Sequence, residues 1–446
     1  MNLTDKTYYY FIGAGGIGMS ALARYFKFLG KEVMGYDRMK TELTNTLEAE
    51  GIKVHFEDDI SFIPAELNPQ NTLVVYTPAV PKEHTELRYF EKNDFTILKR
   101  ADVLGEITRQ TYGIAVAGSH GKTTTSSLTA HILYEAGLEC ASFLGGIIEN
   151  YNTNFLIKGN KYSVAEADEY DRSFLKLSPK IGVITSIDPD HLDIYDDAED
   201  FRQTFVEFSK KVTERLFVKK GLNIPDALSY GVESDADFDA VNVRIQDGAY
   251  HFDLKTPNGL IHEFVLNYPG RHNVENSAAA IAVALYLKVP VETIKKALAD
   301  FKGVKRRFNR WDIGGKIYID DYAHHPTELK ALTHTLKEMF PSKKILGVFQ
   351  PHLYTRTRDF MEDFSKVLAE FDALILIDIY PAREKPIPGI SSDALLEKIN
   401  LSDKEVCTLS DAMDRIKTKS FDVLVTAGAG NIDTLVKPVK NWLNEN

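Results

Sequence analysis

The chain has 446 residues, and at roughly 100–200 residues per domain it should fold as about three domains rather than around one core. Apolar residues make up 44% and charged residues 26%, ordinary globular proportions that exclude a disordered or fibrous chain. With 53 basic and 64 acidic residues the net charge is −11, which makes nucleic acid a poor partner, although a local basic pocket could hold an anion. Only Cys140 and Cys407 occur, too few for a disulfide framework or a cysteine-based zinc site, and a reducing, cytoplasmic setting is expected. No signal peptide opens the chain and no run approaches the 18 apolar residues of a membrane helix, so neither secretion nor membrane insertion is expected.

In chain order, short β-branched or aromatic runs alternate with polar turns and helical stretches, the pattern of βαβ units and parallel sheets. The first block predicts a strand over Tyr8 to Ile12, a glycine-rich turn, a helix to about Leu29, and strands at Glu32 to Tyr36 and Thr72 to Tyr76. In the second, a strand at Tyr112 to Ala117 meets another glycine turn and a helix to about Ala136. Strands at Tyr162 to Ala165 and Ile181 to Thr185 follow, with an antiparallel region around Val241 to Leu266 and a helix after Pro269. The third block begins after Arg306-Arg307-Phe308, with strands at Lys316 to Ile319, Lys344 to Phe349, Ala373 to Ile377 and Asp422 to Thr426.

Chemistry concentrates in the turns after these strands. Gly13, Gly15 and Gly18 satisfy G-x-G-x-x-G, and Asp37 follows about twenty positions later. Such glycines let the backbone approach a diphosphate at a helix N-terminus. Gly118-Ser119-His120-Gly121-Lys122-Thr123-Thr124 ends like a phosphate loop, although Val116 stands where a longer loop has glycine. Its amides would wrap phosphates, Lys122 would supply a charge to the β- and γ-phosphates, and Thr123 a hydroxyl to Mg2+. Glu166 and His191 follow the next two strands and should converge on the same crevice, where a carboxylate suits Mg2+. Asn273 and Asn276 are either helix caps or amides that read an adenine edge. Arg306 and Arg307 are either an exposed hinge pair or a cation for the γ-phosphate across a closing cleft. In the third block Asp320 to Pro326 and Gln350 to Arg356 crowd polar groups at strand ends, and Arg356 could hold a carboxylate.

Together and in this order, GAGGIGMS (Gly13 to Ser20), GSHGKTTT (Gly118 to Thr125), EADEYDRSF (Glu166 to Phe174), DPDHLDIY (Asp188 to Tyr195), GRHNVENSAAA (Gly270 to Ala280), RRF (Arg306 to Phe308), DDYAHHPTE (Asp320 to Glu328) and QPHLYTRTRD (Gln350 to Asp359) resemble the Mur ligase family of peptidoglycan precursor synthesis over nearly the whole chain. The resemblance implies an α/β fold in three domains. Residues 1–105 would be a Rossmann-like, UDP-substrate-binding domain, and 106–310 a P-loop-type ATPase sheet with additional antiparallel strands. Residues 311–446 would be a Rossmann-like domain that closes over the amino acid. It implies that Gly13, Gly15, Gly16, Ile17, Gly18 and Asp37 hold the UDP of a sugar nucleotide rather than NAD. Gly118 to Thr124, Asn273, Asn276 and Arg307 would bind ATP; Thr123, Glu166 and His191 would bind Mg2+ or Mn2+. Lys122, Glu166, His191, Arg307, Asp321 and His324 would carry the catalysis, with Tyr322, His324, His352 and Arg356 around the amino acid.

Relatives that add later amino acids carry a carbamylated lysine soon after the DHLD-type motif. Asp193 to Ser209 contains no lysine, as in the alanine-adding branch. One departure is Leu353, where many members have arginine. The implied reaction is ATP-dependent ligation of L-alanine to the carboxylate of UDP-N-acetylmuramate through an acyl phosphate, with Asp321 and His324 as candidates to take the amine proton. Alternatives are a salvage ligase that attaches a tripeptide to the same sugar nucleotide, a nucleotide-binding regulatory module without catalysis, and, from the first glycine turn alone, an NAD-dependent oxidoreductase.

Overall fold

The computed structural model describes residues 3–188, 195–382 and 384–445. It is an α/β protein with three sheets of five, ten and six strands. By contact the chain divides into two compact units. One comprises Met1–Arg244, His251–Asn267 and Asn273–Lys302; the other comprises Ile245–Tyr250, Tyr268–His272 and Gly303–Asn446.

In the first unit the five-stranded sheet runs, edge to edge, Lys53–His55, Glu32–Tyr36, Tyr8–Ile12, Thr72–Tyr76, Thr96–Lys99. All its pairs are parallel. Strand order reverses beside Tyr8–Ile12, and in an open parallel sheet the crevice outside the carboxyl ends at such a point is where ligands bind. The glycine turn sits there and leads into the helix Ile17–Phe28. That helix buries its face on the sheet, where the rings of Tyr9 and Phe26 stack with centroids 3.9 Å apart.

The ten-stranded sheet has the same logic at Tyr112–Ala117, which lies between Ile181–Ile184 and Tyr162–Ala167, parallel to both. The strand Cys140–Ile148 extends it in parallel, and Thr153–Ile157 closes that edge in antiparallel pairing. The opposite edge grows through Arg215–Lys219, Leu228–Val232 and Phe238–Gln246, all parallel. The strands Ala249–Thr256 and Gly259–Leu266 then follow through two-residue turns. Asp247 and Gly248 both have left-handed φ values, 51° and 80°, the type I′ signature of a tight hairpin.

Buried polar groups tie the glycine-turn helix to the ten-stranded sheet. Asn154, fully buried, donates to Ile17 O and to Ser20 Oγ at 3.1 Å, and accepts from Arg24. Arg24 is also paired with Glu50 at 2.6 Å. Buried polar atoms are costly unless every one is paired, so this network permits one relative placement of helix and sheet.

The second unit carries the six-stranded sheet, ordered Asn309–Ile313, Lys316–Asp321, Val423–Ala427, Ile345–Phe349, Ala373–Ile377, Lys404–Cys407. Its first pair is antiparallel and the rest parallel. The central strands are apolar on both faces and fully buried, as parallel strands covered on both sides require.

Candidate functional site

At the first glycine turn, Gly13 N and Ala14 N donate to Tyr36 O at 2.8 and 2.9 Å. Gly15 N donates to Asp37 Oδ2 at 2.7 Å. Asp37 therefore braces the turn itself. A Cβ on Gly15 would come within 2.6 Å of Thr44 and 2.9 Å of Asp37, so only glycine keeps this packing. Gly16, Ile17 and Gly18 face a cleft of about 300 Å3 whose other wall carries Gly145, Glu166 and Asp168.

The phosphate loop is fixed by the segment after Ile181–Ile184. Ser119 N donates to Ser186 O, His120 N donates to Ser186 Oγ at 2.7 Å, and Ser119 Oγ donates to Asp188 O at 2.6 Å. Gly121 has φ 82°, and a Cβ there would lie 2.8 Å from Asn276 Oδ1; both facts demand glycine. The helix Lys122–Glu135 begins at this point, with Thr123 and Thr124 buried in its first turn.

Lys122 Nζ donates to Gly118 O at 2.6 Å and pairs with Glu169 at 2.7 Å. Burial works against its charge, but Glu169, Asp168 and Glu166 together outweigh that effect and raise its affinity for the proton. For Glu169 burial is the largest influence and pushes its carboxyl up, against the opposing pull of Lys122.

Glu166 is the penultimate residue of the strand Tyr162–Ala167, two residues longer than the sequence indicates, because its ladder with Tyr112–Ala117 continues through Val116 and Ala117. One carboxylate oxygen accepts from Thr123 Oγ1 at 3.0 Å and the other from Gly145 N at 3.0 Å. The structure thus places Thr123 and Glu166 together. His191 lies outside the described residues.

Neither Asn273 nor Asn276 stands at the cap position of its helix; they are its third and sixth residues. Their helix starts at Arg271, and both amides are buried. Asn276 accepts from Thr125 Oγ1 at 3.2 Å and donates to Asn273 Oδ1 at 3.2 Å, which couples this helix to the one behind the phosphate loop.

In the second unit the strand Lys316–Asp321 delivers Asp321, whose two oxygens accept from Phe308 N and Ala323 N, each at 2.7 Å. Burial pushes the Asp321 carboxyl up to about 6, against the opposing pull of Arg307. The hinge reading of Arg306 and Arg307 as an exposed pair is also overturned, since both are mostly covered. Arg306 is structural: it pairs with Asp320 at 3.3 Å and donates to Gly428 O at 2.7 Å. Arg307 approaches Glu328 at 3.6 Å, and Tyr322 lies against both guanidinium groups.

His324 N donates to Glu328 Oε2 at 2.9 Å, and His324 Nδ1 lies 2.9 Å from Tyr322 O. With Nδ1–H donating to that carbonyl, Nε2 carries the lone pair. Burial holds its pKa below the usual imidazole value, with Glu328 opposing and Arg356 reinforcing the shift. His352 sits edge-on to His324 with ring centroids 5.9 Å apart, and Arg356 lies 3.3 Å from His352 Nδ1. Arg306, Phe308 and Leu353 have φ values of 61°, 50° and 73°, a concentration of strained backbone typical of functional sites.

Four contributors escape sequence reading: Gly145, Glu169 as the partner of Lys122, Glu328, and Arg100 at the start of the helix Arg100–Gln110. Glu328 lies in DDYAHHPTE at the third position of a helix, where a reciprocal cap with His325 is foreseeable. The others depend on contacts between distant segments.

The chain matches three family models: "Mur ligase family, catalytic domain" over residues 8–112, "Mur ligase middle domain" over 116–284, and "Mur ligase, glutamate ligase domain" over 306–430. It is 51% identical to the UDP-N-acetylmuramate–L-alanine ligase of Christiangramia forsetii, covering 99% of each chain, and 50% identical to that of Flavobacterium psychrophilum, covering 100% of each. The crystal structure of the UDP-N-acetylmuramate-alanine ligase of Thermotoga maritima matches with a TM-score of 0.82 at 26% identity, covering 98% of this chain and 99% of that one. A murein peptide ligase from Psychrobacter arcticus, with a TM-score of 0.70 at 20% identity and 99% of each chain covered, shares the fold. Two glycine turns at sheet switch points, a lysine and a carboxylate at the second, and these full-length matches lead to one conclusion: the chain belongs to the Mur ligase family.

Proposed function

We propose that the protein ligates L-alanine to the carboxylate of UDP-N-acetylmuramate with ATP, forming ADP and phosphate, in peptidoglycan precursor synthesis. The observation that carries this reading is the placement of Lys122, Thr123 and Glu166 at the head of one glycine-started helix, with Glu166 also lining the cleft reached by the other glycine turn. A diphosphate on Gly15 to Gly18 leaves the sugar's carboxylate free to enter that cleft. Residues 1–105, 106–310 and 311–446 then have separate tasks: holding UDP, activating ATP and receiving the amino acid. The enzyme works in the cytoplasm.

The γ-phosphorus forms a bond to a carboxylate oxygen as its bond to ADP breaks, which gives an acyl phosphate. The alanine amine attacks the acyl carbon, phosphate departs, and the amine proton passes to a base. Lys122 and Arg307 offset charge on the phosphoryl oxygens, the dominant demand of this chemistry. Asn273 and Asn276 lie on the adenine side of ATP, and Asn276 steadies the phosphate loop through Thr125. His324, neutral and with Nε2 available, takes the amine proton; Asp321 holds Arg307 in place. Arg356, beside His352, receives the alanine carboxylate despite Leu353, with Tyr322 against His324 also around the amino acid.

Thr123 and Glu166 suit Mg2+, which is held through one or two protein oxygens together with substrate phosphates and waters. Bound there, Mg2+ would neutralise phosphate charge. Among the described residues no group of three or more His, Cys, Asp or Glu could hold an ion unaided, and a site completed by phosphates needs none. Gly145 is the outer support: a Cβ there would lie 2.3 Å from Glu166 Oε2. Gly145→Ala should therefore raise the Mg2+ needed for half-maximal turnover about 10- to 100-fold, read by metal titration; an unchanged requirement would remove Glu166 from the metal site.

The tripeptide-salvage reading has less support, because relatives at 51%, 50% and 47% identity are named UDP-N-acetylmuramate–L-alanine ligases and the murein peptide ligase shares only the fold. Phosphate release from ATP with UDP-N-acetylmuramate tests both, with L-alanine, glycine, L-serine or the tripeptide offered separately. Release with alanine is expected; release with the tripeptide alone selects the salvage reading.

A further inference from the structure

Arg100 is the first residue of its helix, at the carboxyl end of the strand Thr96–Lys99. Its guanidinium lies across Gly18, the third glycine of the turn: a Cβ on Gly18 would stand 2.9 Å from one terminal nitrogen and 3.0 Å from Cδ. The last glycine of such a motif ordinarily serves close helix–strand packing. Here it makes room for a cation.

Among the described residues that line the cleft, Arg100 is the sole cation, facing the carboxylates of Glu166 and Asp168. Among the described residues its one ion-pair partner is Asp168, at 3.5 Å, and its side chain is 24% exposed. A guanidinium's rigid fork favours bidentate pairing with phosphate or carboxylate, and one 3.5 Å contact through a single terminal nitrogen leaves most of that capacity unused. The helix N-terminus, with the amides of Ile17 and Gly18, lies beneath it, so an anion there would meet backbone donors on one side and the guanidinium on the other.

Resting on the sugar-nucleotide reading above, we infer that Arg100 binds the diphosphate of the UDP substrate, exchanging Asp168 for phosphate oxygens. Its position over the helix's first turn favours the diphosphate over the sugar's carboxylate as the partner. The test is calorimetric titration of the full chain with UDP, UMP and a non-hydrolysable ATP analogue. Arg100→Ala should weaken UDP at least about ten-fold, as loss of a charged hydrogen bond does, and UMP much less. The ATP analogue should bind as before, which shows that the variant is folded. Arg100→Lys should recover part of the loss. UDP affinity within two-fold of the parent would overturn the proposal, and a rise confined to the KM for UDP-N-acetylmuramate would instead give Arg100 to the carboxylate. Failure of the parent protein to bind UDP would sink the reading of the glycine turn itself.

Discussion

Lys122→Met should lower turnover by roughly a hundred- to a thousand-fold or more, the usual loss when a preorganised charge is removed from a transition state, while UDP still binds. The structure complicates the measurement. Lys122 is paired with Glu169, whose side chain is 2% exposed, and removing one member of a buried pair costs about 3–5 kcal/mol because the other is stranded. The single variant should thus be less stable as well as inactive, and inactivity alone would be ambiguous. Lys122→Met with Glu169→Gln separates the two roles: no buried charge remains, so thermal stability should return most of the way while turnover stays low. If the double variant recovers turnover with stability, Lys122 acts only structurally; if the single variant keeps turnover within ten-fold, the second glycine turn is not the ATP site. The pairing also suggests how the resting enzyme holds Lys122: Gly118 O and Glu169 occupy donors that phosphate oxygens would take.

Much of this is legible in the sequence. The strands Tyr8–Ile12, Glu32–Tyr36, Thr72–Tyr76 and Tyr112–Ala117 fall where the apolar runs put them, since a parallel strand covered on both faces needs an unbroken apolar stretch. The sequence puts Glu166 just after its strand, because Glu-Ala-Asp-Glu is too polar to continue the apolar run; pairing with the neighbouring strand overrides composition there. Motif residues were found because phosphate and metal chemistry restricts residue type and spacing at once. What the sequence concealed were supports contributed from far away: Asn276 reaches Thr125 across 151 positions, and Arg100 lies over Gly18. No local periodicity encodes such contacts. The buried amide pair shows the same limit, for asparagine at a helix start is a cap on local grounds and only the tertiary neighbour reveals otherwise.

Asp321→Asn should reduce turnover about a hundred-fold and abolish an acidic limb in the pH–rate profile. Asp321 is the sole side-chain acceptor for Phe308 N and Ala323 N among the contacts seen. Phe308 follows Arg307 directly, and Arg306 and Phe308 on either side of it have left-handed φ, so the bond to Phe308 N fixes the backbone that carries Arg307. A carboxylate accepts both bonds, one from each oxygen, whereas an asparagine offers one oxygen and sets an NH2 against the other N–H, leaving a buried donor unsatisfied at a cost of about 1–3 kcal/mol. Arg307 then loses its fixed position, which is where activity is lost. Protonation of Asp321 removes an acceptor in a similar way, so kcat should rise with pH through about 6 in the parent enzyme and be flat and low there in the variant. Stability runs the other way. Because the folded-state pKa lies above the ordinary carboxylate value, this group favours folding below about pH 4, and that contribution is lost as pH rises through about 6. The active form is therefore the one in which Asp321 is least comfortable, a strain held in place by the surrounding core. An acidic limb that persists unchanged in Asp321→Asn would assign it to another group and leave Asp321 a structural residue alone.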